Sequence, residues 1–178
     1  MELPLIRETA DGPAVESASP ELLANLLDEY EYESRIYSGP VERALAGISR
    51  EEVVDSFAQV GLVPPEELVV LFGWHNGVRI GGTSPFPRLW FTPLAELVGN
   101  YESRLRLFEQ FDDEDLRFAT WGAGPGWFPL VPGQYTLAVD CTRAPDLAPR
   151  VRSTDIEFDD NQKPMRRGQI VSLCTLVT

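Results

Sequence analysis

Apolar positions along the chain recur with two different periods, and the change of period divides it. Behind Ser19 as N-cap and Pro20 at the first helical position, Leu22, Leu23, Leu26, Leu27 and Tyr30 fall on one face of a helix. Ser38-Gly39-Pro40 breaks that helix. Ser49 and Glu52 form a capping box, Ile48 and Val53 stand at the staple positions, and Val53, Phe57 and Val60 give the inner stripe of a helix over 50–60 that ends at Gly61. After Pro64-Pro65, Glu66 and Glu67 suit the positive end of a further helix with Leu68, Leu71 and Phe72 inside. Trp74-His75-Asn76-Gly77 is expected to close it, Asn-Gly supplying a turn. Leu89-Trp90-Phe91 suggests a short strand, and Thr92-Pro93 starts a helix whose stripe is Leu94, Leu97, Val98, Tyr101, Leu105 and Phe108. Gly99 invites a break in it.

Beyond residue 116 the period falls to two. Trp127–Val131, Tyr135–Asp140 and Val151–Phe158 are strand candidates, with Pro132-Gly133 and Asp159-Asp160-Asn161 as turns. Ile170–Val177 is ambiguous between strand and helix. Residues 1–18 show no periodicity and are expected to form a loose arm. Helices first and antiparallel strands later indicate an α+β fold rather than a doubly wound sheet.

The length of 178 residues suits one domain, or one domain with an appendage. No apolar run approaches the roughly 20 residues of a membrane span. The start Met1-Glu2-Leu3-Pro4 lacks the basic opening of a secretory signal. Two cysteines, Cys141 and Cys174, are too few for a disulfide scaffold, so a cytoplasmic setting is expected. The net charge of −13 argues against nucleic acid as the partner. It is uneven: residues 1–50 hold 10 acids and 4 bases, 51–120 hold 12 and 5, and 121–178 hold 6 and 6. Solubility accounts for such an excess, and so does attraction of a basic partner.

Candidate chemistry is sparse. His75 is the single histidine, which excludes a His-rich zinc site and reads as a structural residue at a helix end. The glycines at 122, 124 and 126 do not follow a strand and open a helix, and Pro125 intrudes, so they are no dinucleotide fingerprint. Asp159-Asp160-Asn161 fails as a calcium loop because Pro164 and Ile170 stand where Gly and Glu are needed. Asp112-Asp113-Glu114-Asp115 reads as a solvated rim. No catalytic residue, metal ligand or cofactor site is assigned.

Taken in order, Leu45-x-Gly47-x-Ser49-x-x-Glu52, Gly61-Leu62-x-x-Pro65-x-Glu67-Leu68, Leu71-Phe72-x-Trp74-His75-Asn76-Gly77, Trp127-Phe128-Pro129-Leu130 and Thr136-Leu137-Ala138-Val139-Asp140 resemble the SMI1/KNR4 family, or SUKH superfamily. The likeness covers residues 45–140, and extends loosely beyond them. It implies a mostly antiparallel sheet flanked by helices, here with an added N-terminal helix, so that 1–40 form an arm and helix and 41–178 the family-like domain. It gives Trp74, His75, Asn76, Gly77, Trp127, Phe128, Pro129 and Asp140 structural roles. In bacteria it implies an immunity protein that neutralises a cognate toxin, commonly a nuclease; in fungi, a regulatory scaffold. Neither role is enzymatic. The partner expected is a basic toxin domain, met by Asp112, Asp113, Glu114 and Asp115 or by Glu29, Glu31 and Glu33 among the tyrosines. The competing readings are a general protein-interaction scaffold and a small hydrolase built on His75 or the 112–115 carboxylates.

Overall fold

The protein's computed structural model describes residues 5–9, 12–15, 17–37, 40–79, 84–86, 91–112, 124–130, 135–146, 149–158, 164–167, 170–171 and 173–176. Two short strands, β1 (Ile6–Thr9) and β2 (Gly12–Val15), precede α1 (Pro20–Ile36). A 3-10 turn over Pro40–Arg43 leads to β3 (Ala44–Ala46), α2 (Arg50–Ala58), α3 (Glu66–Trp74) and β4 (His75–Val78). Then come α4 (Leu94–Gln110), β5 (Trp127–Pro129), β6 (Tyr135–Asp140), β7 (Val151–Phe158), β8 (Pro164–Arg167), β9 (Ile170–Val171) and a 3-10 turn over Leu173–Leu176. The molecule is α+β, and every strand pairing among the described residues is antiparallel.

Local chemistry sets the helix starts. The Ser19 hydroxyl accepts from the Leu22 N–H at 3.1 Å. At α2 the Glu52 N–H reaches the Ser49 hydroxyl at 3.2 Å while the Glu52 carboxylate accepts from the Ser49 N–H at 2.8 Å, a complete capping box. Gly61, at φ 71°, takes the left-handed conformation that ends the segment. Arg50 grips Glu66 through both guanidinium nitrogens, at 2.7 and 2.5 Å, tying the start of α2 to the start of α3.

The main sheet is a meander, β5-β6-β7-β8, with β9 also on β7. Asp155 lies opposite Arg167 and Arg152 opposite Ile170, so β8 and β9 follow one edge of β7 in a single register. Helices cover it: the Phe128 ring of β5 is buried against Phe57 of α2, 4.4 Å between centroids, and Tyr101 of α4, 5.9 Å away. Leu23, Leu26 and Leu27 of α1 join the same core as Leu68 and Phe72 of α3 and Leu94 and Leu97 of α4. The helix at residues 20–36 therefore buries its apolar face in the common core.

Several expectations need correction. The loose arm is a hairpin, with Ile6 opposite Val15 and Val15 buried. Trp74-His75-Asn76-Gly77 makes no turn: His75 begins β4, which pairs with β3, because the backbone leaves the helix straight into extended conformation. Helix α4 runs through Gly99 without a break, the glycine lying on the exposed side where propensity alone is at stake. Pro93, not Thr92, is its N-cap, and Thr92 is buried. Strand β8 carried no alternating signal, and of the ambiguous closing segment Ile170–Val171 is strand and Leu173–Leu176 a 3-10 turn. Of the expected strand Leu89-Trp90-Phe91, only Phe91 lies among the described residues; it is in no strand, although its carbonyl accepts the Val78 N–H at 2.8 Å. Val131, the Pro132-Gly133 and Asp159-Asp160-Asn161 turns and Val177 lie outside the described residues.

Candidate functional site

Successive residues of a helix are rotated by about 100°, so residues four apart share a face and residues two apart do not. Glu29 and Glu33 accordingly point outward with Tyr32 and Ile36, while Glu31 faces the body of the protein. Tyr32 is 62% exposed, Ile36 54% and Tyr37, just past the helix, 78%. This end of α1 presents apolar and aromatic surface between carboxylates.

Glu31 is spent internally. Its carboxylate accepts from the Trp74 indole N–H at 2.8 Å and from Arg35 at 2.5 Å, and lies 3.6 Å from Nε2 of His75. Partial burial pushes its proton affinity up, but the hydrogen bonds from Arg35 and Trp74 and the nearby His75 outweigh that and hold the carboxyl below its ordinary range. His75 Nδ1 lies 2.9 Å from the Leu45 carbonyl, which can only accept, so that nitrogen carries the hydrogen. Nε2 is buried without a hydrogen-bond partner, facing Glu31. The Tyr30 hydroxyl donates to the Pro85 carbonyl, and its ring stacks on Phe86, which also packs against Trp74 at 5.9 Å and Phe91 at 5.4 Å. Behind the outward face of α1 stands an aromatic and charged clamp.

The motif residues act through backbone geometry. Asn76 reaches across from β4, its side-chain oxygen accepting the Leu94 N–H at 2.9 Å, and so satisfies a donor at the start of α4. Gly77 has φ 76°, and a Cβ there would lie 2.5 Å from the Pro93 nitrogen, so close passage of β4 past α4 requires glycine. Phe128 and Pro129 are buried, whereas Trp127, at the strand's start, is only partly so. Asp140 is buried and accepts the Thr142 N–H at 2.9 Å and hydroxyl at 2.5 Å, closing the turn after β6.

Asp112 is exposed beyond the end of α4; Asp113, Glu114 and Asp115 lie outside the described residues. The exposed acids Glu29 and Glu33 are thus brought together, and Glu31 leaves their company. Sequence reasoning took the tyrosines only as the setting of the acids and missed Ile36 beside them; the spacing of Glu29, Tyr32, Glu33 and Ile36 was the available signal. It also missed Glu67, placed at a helix start but wholly buried at 1% exposure. Among the described residues no three His, Cys, Asp or Glu side chains converge to hold a metal, and no helix is long and apolar enough to cross a membrane. Comparison with family models, curated proteins and solved structures finds no match to this chain.

Proposed function

We propose that this chain is a non-catalytic protein-binding domain, an immunity protein that works in the cytoplasm and neutralises a cognate bacterial toxin by stoichiometric contact. The observation that carries the reading is the outward end of α1, where Tyr32, Ile36 and Tyr37 stand exposed beside Glu29 and Glu33. Tyrosine is enriched at protein interfaces because it offers rigid apolar area with a polar tip. Carboxylates around it select a basic partner and speed its approach. The net charge of −13 strengthens that field. The SMI1/KNR4-like order of segments adds the toxin as partner, with basic nuclease domains as the first class to test.

The test is co-expression with the toxin encoded beside this gene. The intact chain should protect, and Tyr32→Ala with Tyr37→Ala should abolish protection while the fold stays intact. Protection that survives both changes, and also survives Glu29→Gln with Glu33→Gln, would move the interface elsewhere. Failure of the intact chain to bind or protect against its neighbour would end the immunity reading.

A further inference from the structure

His75, the chain's only histidine, opens β4. Its Nδ1 lies 2.9 Å from the Leu45 carbonyl on β3, an oxygen that only accepts, so the ring hydrogen sits on Nδ1. Trp74 packs edge to face against the ring, 4.4 Å between centroids. These two contacts fix where the second nitrogen points. Nε2 is buried, makes no hydrogen bond, and lies 3.6 Å from Oε2 of Glu31 on α1. In the neutral ring Nε2 carries a lone pair, and the carboxylate oxygen is an acceptor too. Two acceptors thus face each other with no hydrogen between them, and the buried Nε2 goes unsatisfied, which is costly. A proton on Nε2 turns the same pair into a charge-assisted hydrogen bond.

Glu31 does not supply that proton itself. Partial burial works against its charge, but the hydrogen bonds from Arg35 and Trp74 prevail and keep it ionised. The other ionisable groups around the pair, among the described residues, give no substitute. Arg35 meets the opposite carboxylate oxygen, Oε1. Arg43 ahead of β3 and Arg79 behind β4 are exposed. The Tyr30 hydroxyl is committed to the Pro85 carbonyl.

We propose that His75 and Glu31 form a proton-driven clamp: a proton on Nε2 closes a charged hydrogen bond between β4 and α1 and fastens the second half of that helix to the paired strands β3 and β4. Glu31 stands beyond Leu23, Leu26 and Leu27, the buried leucines of the first half. Tyr32 and Ile36 ride on the stretch so held, whatever partner meets them. Imidazole is the side chain that changes charge between about pH 5 and pH 8. The contact exists only in the protonated form, so its stabilising share is present at the acid end of that range and is lost as pH rises through it.

With one histidine in the chain, ring-nitrogen chemical shifts report on this site alone. They should show a neutral ring with its hydrogen on Nδ1 at about pH 8 and hydrogens on both nitrogens at about pH 5.5. Urea denaturation of the wild-type protein and of Glu31→Gln at the same two pH values tests the clamp itself. Glutamine keeps an acceptor for the Trp74 indole, removes the charge, and offers the neutral Nε2 an N–H. The wild-type protein should be favoured at the acid value by about tenfold in the unfolding equilibrium constant, and that advantage should vanish or reverse at the alkaline one. Glu67 is present in both proteins and cancels from the comparison. An equal advantage at both values overturns the clamp. So does a neutral ring with its hydrogen on Nε2, or a ring still neutral at the acid value. Should Glu31→Gln fail to fold, His75→Gln, which takes up no proton, replaces it, and the wild-type advantage over it should shrink with rising pH in the same way.

Discussion

Single side chains here do work that their sequence neighbours do not. Ser49 and Glu52 hold each other's backbone N–H, and Ser49→Ala should cost about 0.5–2 kcal/mol, measured as a lower denaturation midpoint at unchanged slope. Asn76 caps a helix that begins 18 residues later in the chain. Asn76→Ala leaves the Leu94 N–H without that acceptor, and a loss of about 0.5–2 kcal/mol is expected, with faster hydrogen exchange confined to the first turn of α4. Phe128, fully buried between Phe57 and Tyr101, is the strand's core anchor. Phe128→Ala should cost about 3–5 kcal/mol, and Trp127→Ala distinctly less because Trp127 is only partly buried. Equal losses for the two would contradict this packing.

Among elements, the buried start of α3 sets a pH dependence. Glu67 has a folded-state proton affinity raised by burial to about 7, against an ordinary 4.5. The folded protein therefore binds the proton that the unfolded chain gives up. Its stabilising share is complete below the lower value and is lost as pH rises through the upper one, about 3 kcal/mol in all. Urea melts across that range should show stability falling with pH, and Glu67→Leu should flatten the curve. Cys141, pushed up to about 12 by burial, stays protonated throughout and adds nothing to the window. Helix α1, packed on α3, is anchored over its first half by Leu23, Leu26 and Leu27 and further along by Tyr30 and Glu31, which hydrogen-bond to Pro85 and Trp74.

For the whole molecule, charge governs encounter and apolar contact governs lifetime. With a basic partner, the acids should act on the association rate, and added salt should slow wild-type binding because screening acts over about 8–10 Å at physiological ionic strength. Glu29→Gln with Glu33→Gln should slow association and weaken its salt response, while Tyr32→Ala should act mainly on dissociation. Replacing Asp112, Asp113 and Asp115 by Asn is the companion measurement. A larger effect there than at Glu29 and Glu33 would place the steering field at the end of α4.

The helix starts and stripes were legible because their causes are local. A serine three residues ahead of a glutamate, or leucines at helical spacing, meets its partners within a few residues whatever the rest of the chain does. The strands β6 and β7 were legible for the same reason, alternation being a property of neighbours. The hairpin of β1 and β2 was not, since four-residue strands with Pro13 and Gly12 carry no period, and Val15 is buried only once other elements cover it. Nor could the sequence tell Glu31 from Glu29 by type; helical rotation separates them, and only the approach of Trp74, with His75 beside it, turns the inward one into a hydrogen-bond acceptor for the body of the protein. Glu67 is the sharpest case. Its place at a helix start follows from local rules, but burial is a property of what packs on top, and α3 lies against α1, a helix from a distant part of the chain. Local propensity and spacing determined the elements; the fate of each polar side chain waited on which elements the tertiary structure laid against it.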